Sequence, residues 1–257
     1  MKVISVMNRK GGVGKTTTVT NMAVLLATEY GKRVLVIDAD GQANASTFFG
    51  ADMRAPGLAD WFCEPRDEAL LDSLLQPTPI GGLYLIHGDD SLDALDIQGD
   101  RPQSIGAIGA LIRELSDTLI APDVVLIDCP PSFSVACCAA LTASEEVIVP
   151  VKIDGYVLSG VAEIARQIEL TRQVNPLLRI AGLLLTMWTP STIVREGEAA
   201  LRATELPVFR TVIRRTVKVD ESSAARQTLD TYAPYSTAGQ DYRAFVSEYM
   251  LGVIADG

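Results

Sequence analysis

The stretch K-G-G-V-G-K-T-T at residues 10–17 decides the fold of this 257-residue chain. It follows an apolar segment, Lys2–Met7, that predicts a β-strand, and it opens a segment, Lys15–Tyr30, that predicts a helix. Gly12 and Gly14 let the backbone turn tightly and approach an anion without a Cβ in the way. The N–H groups of the loop and of the helix N-terminus then face that anion. The stretch therefore predicts a phosphate-binding loop.

Side chains of this loop have distinct predicted roles. We expect Lys15 to contact the β- and γ-phosphates of a nucleotide and the hydroxyl of Thr16 to bind Mg²⁺. The other loop residues expected to line the phosphates are Gly11, Gly12, Val13, Gly14 and Thr17. The general pattern G-x-x-x-x-G-K-[ST] needs glycine at position 9, where Arg9 stands, so this is the K-G-G-x-G-K-T-T variant with a second lysine, Lys10. Within one subunit Lys10 has no obvious phosphate to reach, because Lys15 already serves.

Two apolar strand candidates end in carboxylates. One runs from Val34 into Asp38 and Asp40, and the other runs from Val124 into Asp128. Ligands of an open parallel sheet sit at the carboxyl ends of its strands, so both ends should converge on the phosphate loop. A phosphate loop needs Mg²⁺ ligands and a residue that positions water. Asp128 is therefore a candidate Mg²⁺ ligand, acting directly or through water.

The rest of the chain alternates apolar strand candidates with amphipathic helix candidates, which predicts an α/β fold with a mostly parallel twisted sheet and helices on both faces. The predicted strands are Lys2–Met7, Arg33–Ile37, Leu83–His87, Val124–Ile127, Val147–Pro150, Ile180–Thr186 and Val208–Val212. The predicted helices are Lys15–Tyr30, Gln103–Ile120, Ser132–Ala143, Ser159–Val174, Ile193–Thr204 and Gln240–Ile254. We expect one domain over residues 1–257, with the acidic stretch Asp89–Pro102 as a surface loop.

Composition and charge narrow the function. Apolar residues make up 48% of the chain and charged residues 21%, which is typical of a soluble globular protein, and a cytoplasmic location is expected. The net charge is −10, but the window from Asp60 to Asp100 holds ten acidic residues and one basic residue. By contrast, Phe209–Lys218 has four basic residues and no acid. A local basic patch is therefore compatible with the acidic total.

Three motifs together resemble those of ParA-type partition ATPases, the family that includes the chromosomal Soj proteins. They are the variant phosphate loop (the deviant Walker A motif), the D-x-D-x-Q-x-N segment at residues 38–44 and the D-C-P-P-S segment at residues 128–132. Weaker similarity continues through residues 149–152, 184–187 and 209–213, so the resemblance covers nearly the whole chain. It implies a P-loop NTPase fold without a helix-turn-helix domain ahead of the phosphate loop.

The resemblance also implies roles and partners. ATP with Mg²⁺ would close a homodimer in which Lys10 contacts the nucleotide of the other subunit. The residue matching Asp40 positions the attacking water in that family, and Asp38 would support the Mg²⁺ shell. Hydrolysis would be weak alone and stimulated by a ParB-like partner, and the ATP-bound dimer would bind DNA non-specifically and associate with the nucleoid. The cargo would be a plasmid or a chromosome.

Two departures from the family pattern affect the expected site. The family usually has proline where Gly41 stands, which predicts a looser D-x-D-x-Q-x-N segment at residues 38–44, the switch I segment of that family. It often reads Pro-Arg-Asn where this chain has Arg214, Arg215 and Thr216, and those positions frame the base in relatives. Arg214 and Thr216 are therefore candidate base contacts. The candidate DNA-binding residues are Arg195, Arg202, Arg210, Arg214, Arg215 and Lys218.

Other functions of the same fold are weaker alternatives. A MinD-like membrane switch needs a basic amphipathic helix at the C-terminus, and the segment from Arg243 onward has one arginine and two acids. An iron–sulfur reductase needs cluster cysteines, whereas Cys63, Cys129, Cys137 and Cys138 have the pattern of buried, reduced thiols. The scattered tyrosines do not suit a tyrosine kinase tail. A ParA-like positioner of non-DNA cargo stays open.

Overall fold

The computed structural model describes residues 1–63, 68–97, 104–118 and 120–252. The strands are β1 (Lys2–Val6), β2 (Val34–Asp38), β3 (Gln76–Pro77), β4 (Leu83–Ile86), β5 (Val124–Asp128), β6 (Glu146–Lys152), β7 (Arg179–Trp188) and β8 (Val208–Arg214). They form one sheet in the order β3-β4-β2-β5-β1-β6-β7-β8. All neighbours are parallel except β3, which pairs antiparallel with β4. The predicted fold class is confirmed.

Helices cover both faces of this sheet. The longer helices are α1 (Lys15–Thr28), α6 (Ala107–Ser116), α7 (Val135–Ala143), α8 (Val157–Thr171), α9 (Thr192–Arg202), α10 (Val217–Ala224) and α12 (Thr237–Met250). The shorter ones are α2 (Asn44–Phe49), α3 (Leu58–Cys63), α4 (Glu68–Leu74), α5 (Ser91–Ala94) and α11 (Leu229–Tyr232). One apolar cluster packs α1, α2 and α12 on one face, and a second packs α3, α6, α7 and α8 on the other.

Burial on both faces explains why the sequences of the central strands are continuously apolar. Every residue of β2 and β5 is buried. Val34 and Val36 contribute to the cluster beneath α1, whereas Leu35 and Ile37 contribute to the opposite cluster. Successive strand residues point to opposite faces, so a strand covered on both faces needs apolar side chains at every position. The polar exceptions stand where the strands end, and they form the site.

The structure corrects several predictions. The stretch from Asp89 was predicted to be a surface loop, but its described part contains α5, and both Leu92 and Leu95 are buried in the core. Residues 98–102 of that stretch lie outside the described residues. The edge strand β3 and the short helices were not predicted, because so few residues carry no readable periodicity. The prediction of buried thiols is wrong for Cys63, which is exposed at the end of α3, and Cys138 is only half-buried.

Candidate functional site

The phosphate loop is fixed by hydrogen bonds to two strands. Gly12 and Gly14 have φ angles of 66° and 89°, which favour glycine, and Gly14 is the N-cap of α1. The amide of Asn8 donates to the carbonyl oxygen of Pro150 in β6 at 2.7 Å. The hydroxyl of Thr186 in β7 donates to the carbonyl oxygen of Val13 at 2.8 Å. The loop is therefore held in shape by its neighbours in the sheet.

Lys15 and Thr16 lie at the floor of a cavity of about 500 Å³, and Asp128 lies beside Thr16. Lys15 is only 7% exposed and lines that cavity together with Thr16. The hydroxyl of Thr16 donates to Oδ2 of Asp128 at 2.6 Å. A buried cation beside a loop of N–H groups makes this floor suitable for phosphate.

The two carboxylate strand ends lie side by side, as the sheet predicts. Asp38 of β2 pairs in register with Asp128 of β5. Burial raises the pKa of Asp38 to about 6, against the hydrogen bonds from Ser46 that lower it. Burial and the charge of Asp38 together raise the pKa of Asp128 well above that of an ordinary carboxyl group. Two adjacent buried carboxyl groups are costly to ionise without a cation.

The residues present fit a bound Mg²⁺. Oδ1 of Asp128 is buried and has no hydrogen-bond partner among the described residues. It belongs to the same carboxyl group that accepts the bond from Thr16, so the two predicted ligands are adjacent. Mg²⁺ is usually bound by one or two protein oxygen ligands together with substrate phosphates and water. The hydroxyl of Thr16 and the carboxylate of Asp128 match this coordination pattern.

Asp38 and Asp40 hold different positions in the segment after β2. Both oxygens of Asp38 are engaged, Oδ1 by the N–H of Asp40 at 3.2 Å and Oδ2 by the N–H and hydroxyl of Ser46. Asp38 therefore shapes the start of α2, in keeping with a supporting role. Asp40 lines the cavity, and its Oδ1 accepts a bond from the N–H of Gln42 at 3.0 Å. Its placement suits the predicted contact with attacking water.

Helix α5 packs against the segment of residues 38–44, with Asp93 beside Gly41. A Cβ on Gly41 would lie 2.8 Å from Oδ1 of Asp93. Oδ1 of Asp96 accepts a bond from the N–H of Val135, the first residue of α7, at 2.7 Å. The departure from proline at position 41 is thus matched by a carboxylate that occupies the space beside it.

Lys10 points away from the cavity that Lys15 lines. Its ammonium group pairs with Oδ2 of Asp154, after β6, and the two side chains are 50% and 35% exposed. This ion pair lowers the pKa of Asp154. Lys10 also lines a separate surface depression beside Asp154 and Tyr156. In the single subunit, the two lysines of the loop therefore face different places.

A second cavity of about 190 Å³ adjoins Gly14 and Thr17. Its wall includes Met187 and residues 213–217, so the two predicted base contacts, Arg214 and Thr216, both lie on it. The guanidinium of Arg214 donates to both oxygens of Asp241 in α12, the closest at 2.6 Å. The hydroxyl of Thr216 caps α10 by accepting a bond from the N–H of Lys218 at 3.3 Å.

The six predicted DNA-binding residues divide by their partners. Three pair with carboxylates: Arg202 with Glu198, Arg214 with Asp241, and Lys218 with Glu221. Arg202 also donates to the carbonyl oxygen of Phe209 at 3.0 Å. The other three, Arg195, Arg210 and Arg215, are exposed, and their side chains make no ion pair with the described residues. DNA binding by any of the six stays a prediction.

Helix α12 packs on the sheet, as its apolar residues predicted. Ala238, Tyr242, Phe245 and Val246 are buried in the cluster beneath α1. Residues 253–257, which include the last two residues of the predicted helix Gln240–Ile254, lie outside the described residues. In the described ranges no helix is both long enough and apolar enough to cross a membrane.

Sequence reasoning missed the side chains that position the site. Asn8, Ser46, Asp154, Thr186 and Asp241 each hold a loop or a charged group, as described above. A single polar residue at a strand or helix end carries no recognisable motif. Its partner is set by the packing of distant segments, so the sequence held no signal for these contacts.

Known proteins similar to this chain match it over most of its length. A family model described as an AAA domain matches residues 1–180. The chromosome-partitioning ATPase Soj of Thermus thermophilus is 38% identical, with 97% of this chain and 96% of that protein covered. The chromosome partitioning protein ParA of Caulobacter vibrioides is 32% identical, with 97% and 94% covered. The solved structure of cobyrinic acid a,c-diamide synthase from Mycobacterium smegmatis, with a bound ATP analogue and magnesium, is 28% identical with a TM-score of 0.80, covering 97% of this chain and 94% of that chain.

Proposed function

We propose that this chain is an ATP-dependent switch that partitions DNA. The proposal starts from its family, because the chain belongs to the ParA and Soj family of chromosome-partitioning ATPases. It is an ATPase, and ATP and Mg²⁺ are its cofactors. Beyond this, ATP closes a homodimer, the dimer binds DNA non-specifically, and a ParB-like partner stimulates hydrolysis. The cycle segregates or positions a plasmid or a chromosome. The chain works as a single P-loop ATPase domain that associates with the nucleoid when ATP is bound.

The observation that carries this proposal is the opposite placement of the two loop lysines. Lys15 is buried in the cavity, whereas Lys10 is exposed and paired with Asp154. A nucleotide in the cavity has one lysine of its own subunit. Lys10 can reach a phosphate only by leaving Asp154, and a second copy of the chain facing the cavity supplies that phosphate.

The positions of the side chains support the hydrolytic roles that we propose. Lys15 holds the β- and γ-phosphates from the cavity floor, and the loop N–H groups orient them. Thr16 and Asp128 hold Mg²⁺, which supplies neutralisation of the phosphate charge. Asp40 lies on the cavity wall and orients the attacking water, while Asp38 fixes the segment that carries Asp40.

The switch works because ATP favours one state over the other. A ligand shifts an equilibrium only by its difference in affinity for the two states. The contact of Lys10 with the nucleotide of the partner subunit exists only in the dimer, so it supplies that difference. The cost is the loss of an exposed ion pair with Asp154, which is small because such pairs are solvated.

DNA binding is the activity that depends on the ATP-bound dimer. Non-specific DNA binding depends on basic side chains that neutralise phosphates. Arg195, Arg210 and Arg215 are exposed and unpaired within the described residues, so they are the first candidates. Dimerisation doubles this patch and so strengthens a weak contact. The described part of the acidic window then faces away from DNA.

The test is DNA binding in each nucleotide state, measured by mobility shift with no nucleotide, ADP, ATP and a non-hydrolysable ATP analogue. Anionic liposomes are tested in parallel. Binding to DNA only with ATP or its analogue supports the proposal. Equal DNA binding in all states contradicts the switch, and liposome binding without DNA binding assigns the chain to the MinD-like membrane switches instead.

A further inference from the structure

Helix α10 ends in a turn that ordinarily calls for glycine, and this chain has Arg226 there. The N–H of Arg226 donates to the carbonyl oxygen of Ser223, and the N–H of Gln227 donates to that of Ser222, both at 3.0 Å. In this helix-ending pattern the residue after the C-cap has left-handed backbone and is usually glycine. Arg226 has a φ of 52°, a conformation that costs backbone energy for any residue with a Cβ. A side-chain role would explain why this position is not glycine.

Left-handed backbone at residues other than glycine concentrates around one cavity. In the described ranges these residues are Ala43, Met187 and Arg226. Met187 and Arg226 line the phosphate-loop cavity, and Ala43 stands between Gln42 and Asn44, which line it too. Strained backbone persists where the surrounding structure requires it, and it clusters at binding sites. Arg226 therefore belongs to the binding site rather than to a surface turn.

The charge of Arg226 suits the ligand of this cavity. Of the described residues on the cavity wall, only Lys15 and Arg226 are cations. Lys15 lies buried at the floor, whereas Arg226 is exposed. The guanidinium of Arg226 makes no ion pair or hydrogen bond with the described residues, so its N–H donors are available to a ligand. The planar guanidinium matches two phosphate oxygens better than an ammonium group does.

We propose that Arg226 is a second phosphate ligand of the bound nucleotide. It contacts the phosphates from the α10 side of the cavity, whereas Lys15 contacts them from the floor. The proposal rests on the proposed binding of ATP in this cavity and adds a binding residue to it. No catalytic step is assigned to Arg226.

The test uses Arg226→Gly, because glycine suits the left-handed turn and the substitution removes only the side chain. Calorimetry in the presence of Mg²⁺ measures binding of a non-hydrolysable ATP analogue, ADP and adenosine. Loss of a charge-assisted contact is expected to weaken binding of both phosphorylated ligands about tenfold. Adenosine affinity is expected to stay unchanged. Tm without nucleotide is expected to equal or exceed that of the wild-type protein, and Arg226→Lys is expected to lose less affinity.

The control is Arg113→Ala, which removes an exposed arginine from α6, and its nucleotide affinity is expected to be unchanged. Wild-type affinity of Arg226→Gly for the ATP analogue and ADP would overturn the assignment of Arg226 alone. An equal loss for adenosine would overturn the contact with phosphate. Failure of the wild-type protein to bind any of the three would overturn nucleotide binding itself, and the assignment with it.

Discussion

Asp154 competes with the nucleotide of a partner subunit for Lys10, so loss of its charge is expected to tighten the ATP-dependent dimer. In the single subunit the ammonium group of Lys10 pairs with Oδ2 of Asp154. Oδ1 of Asp154 accepts a bond from the N–H of Tyr156 at 3.0 Å. In Asp154→Asn the amide oxygen can still accept that bond. The turn is kept, and the charge alone is lost.

The size of the effect follows from the exposure of the pair. The Lys10 and Asp154 side chains are 50% and 35% exposed, and an exposed ion pair is worth about 0.2–1 kcal/mol. A symmetric dimer breaks two such pairs when it closes. Removing the competitor therefore lowers the dimer dissociation constant by about two- to thirtyfold. Salt screens exposed pairs, so the gain is expected to shrink as ionic strength rises.

The assay is sedimentation velocity with a non-hydrolysable ATP analogue over a range of protein concentrations. Asp52→Asn is the matched control, because Asp52 also pairs with an exposed arginine, Arg54, and also accepts the N–H two residues ahead, at 3.1 Å. It makes the same change in net charge. A dimer that is unchanged or weaker in Asp154→Asn, or equally tightened in Asp52→Asn, would refute the competition.

Four further substitutions test the site. Lys15→Ala is expected to abolish nucleotide binding because it removes the buried cation of the cavity; unchanged ATP affinity by calorimetry would contradict the phosphate-loop assignment. Asp40→Ala is expected to keep the ATP-bound dimer and lose phosphate release, since closure survives while the water loses its carboxylate; finding only monomer with ATP by light scattering would count against this role. Arg215→Glu is expected to weaken DNA binding and its salt dependence without affecting dimerisation, and retained DNA affinity at moderate salt would remove Arg215 from the patch. Gly88→Ala is expected to destabilise the fold by about 1–3 kcal/mol, because its Cβ would lie 2.4 Å from the carbonyl oxygen of Asp38; a wild-type Tm would show that the backbone there yields.

The parts of the site that depend on local order could be predicted from the sequence. The strand–loop–helix context of the phosphate loop is contiguous in the chain. The carboxylates Asp38 and Asp128 each follow a continuous apolar strand, and parallel pairing brings such strand ends together. The sequence could therefore predict the fold class and the meeting of these two strand ends beside the phosphate loop.

The parts that depend on distant pairing could not be predicted. Counting charges in residues 209–218 could not reveal that Arg214 pairs with Asp241 and Lys218 with Glu221. In the same way, the partner of Lys10 lies 144 residues away in the chain. Such pairs depend on tertiary packing and leave no periodic pattern. The stretch from Asp89 was predicted to be a loop because its acidic residues conceal two buried leucines, Leu92 within α5 and Leu95 directly after it.

Position 226 shows a further limit of sequence reasoning. A lone arginine in a polar stretch has the pattern of surface charge, and nothing in the sequence marks its left-handed backbone. That conformation becomes visible only with the two hydrogen bonds that end α10. The proposed role therefore depends on geometry rather than on any motif.

In the proposed dimer each complete site combines residues of two subunits, and mixing two inactive variants tests this arrangement. Lys10→Ala keeps its own Asp40, and Asp40→Ala keeps its own Lys10. If Lys10 acts across the dimer, one of the two sites in a mixed dimer is complete. At a protein concentration that saturates dimer formation, half of the dimers in an equimolar mixture are mixed, so about a quarter of the wild-type phosphate release is expected to return. If Lys10 acts within its own subunit, no mixed site is complete, and a mixture as inactive as its components would contradict the account.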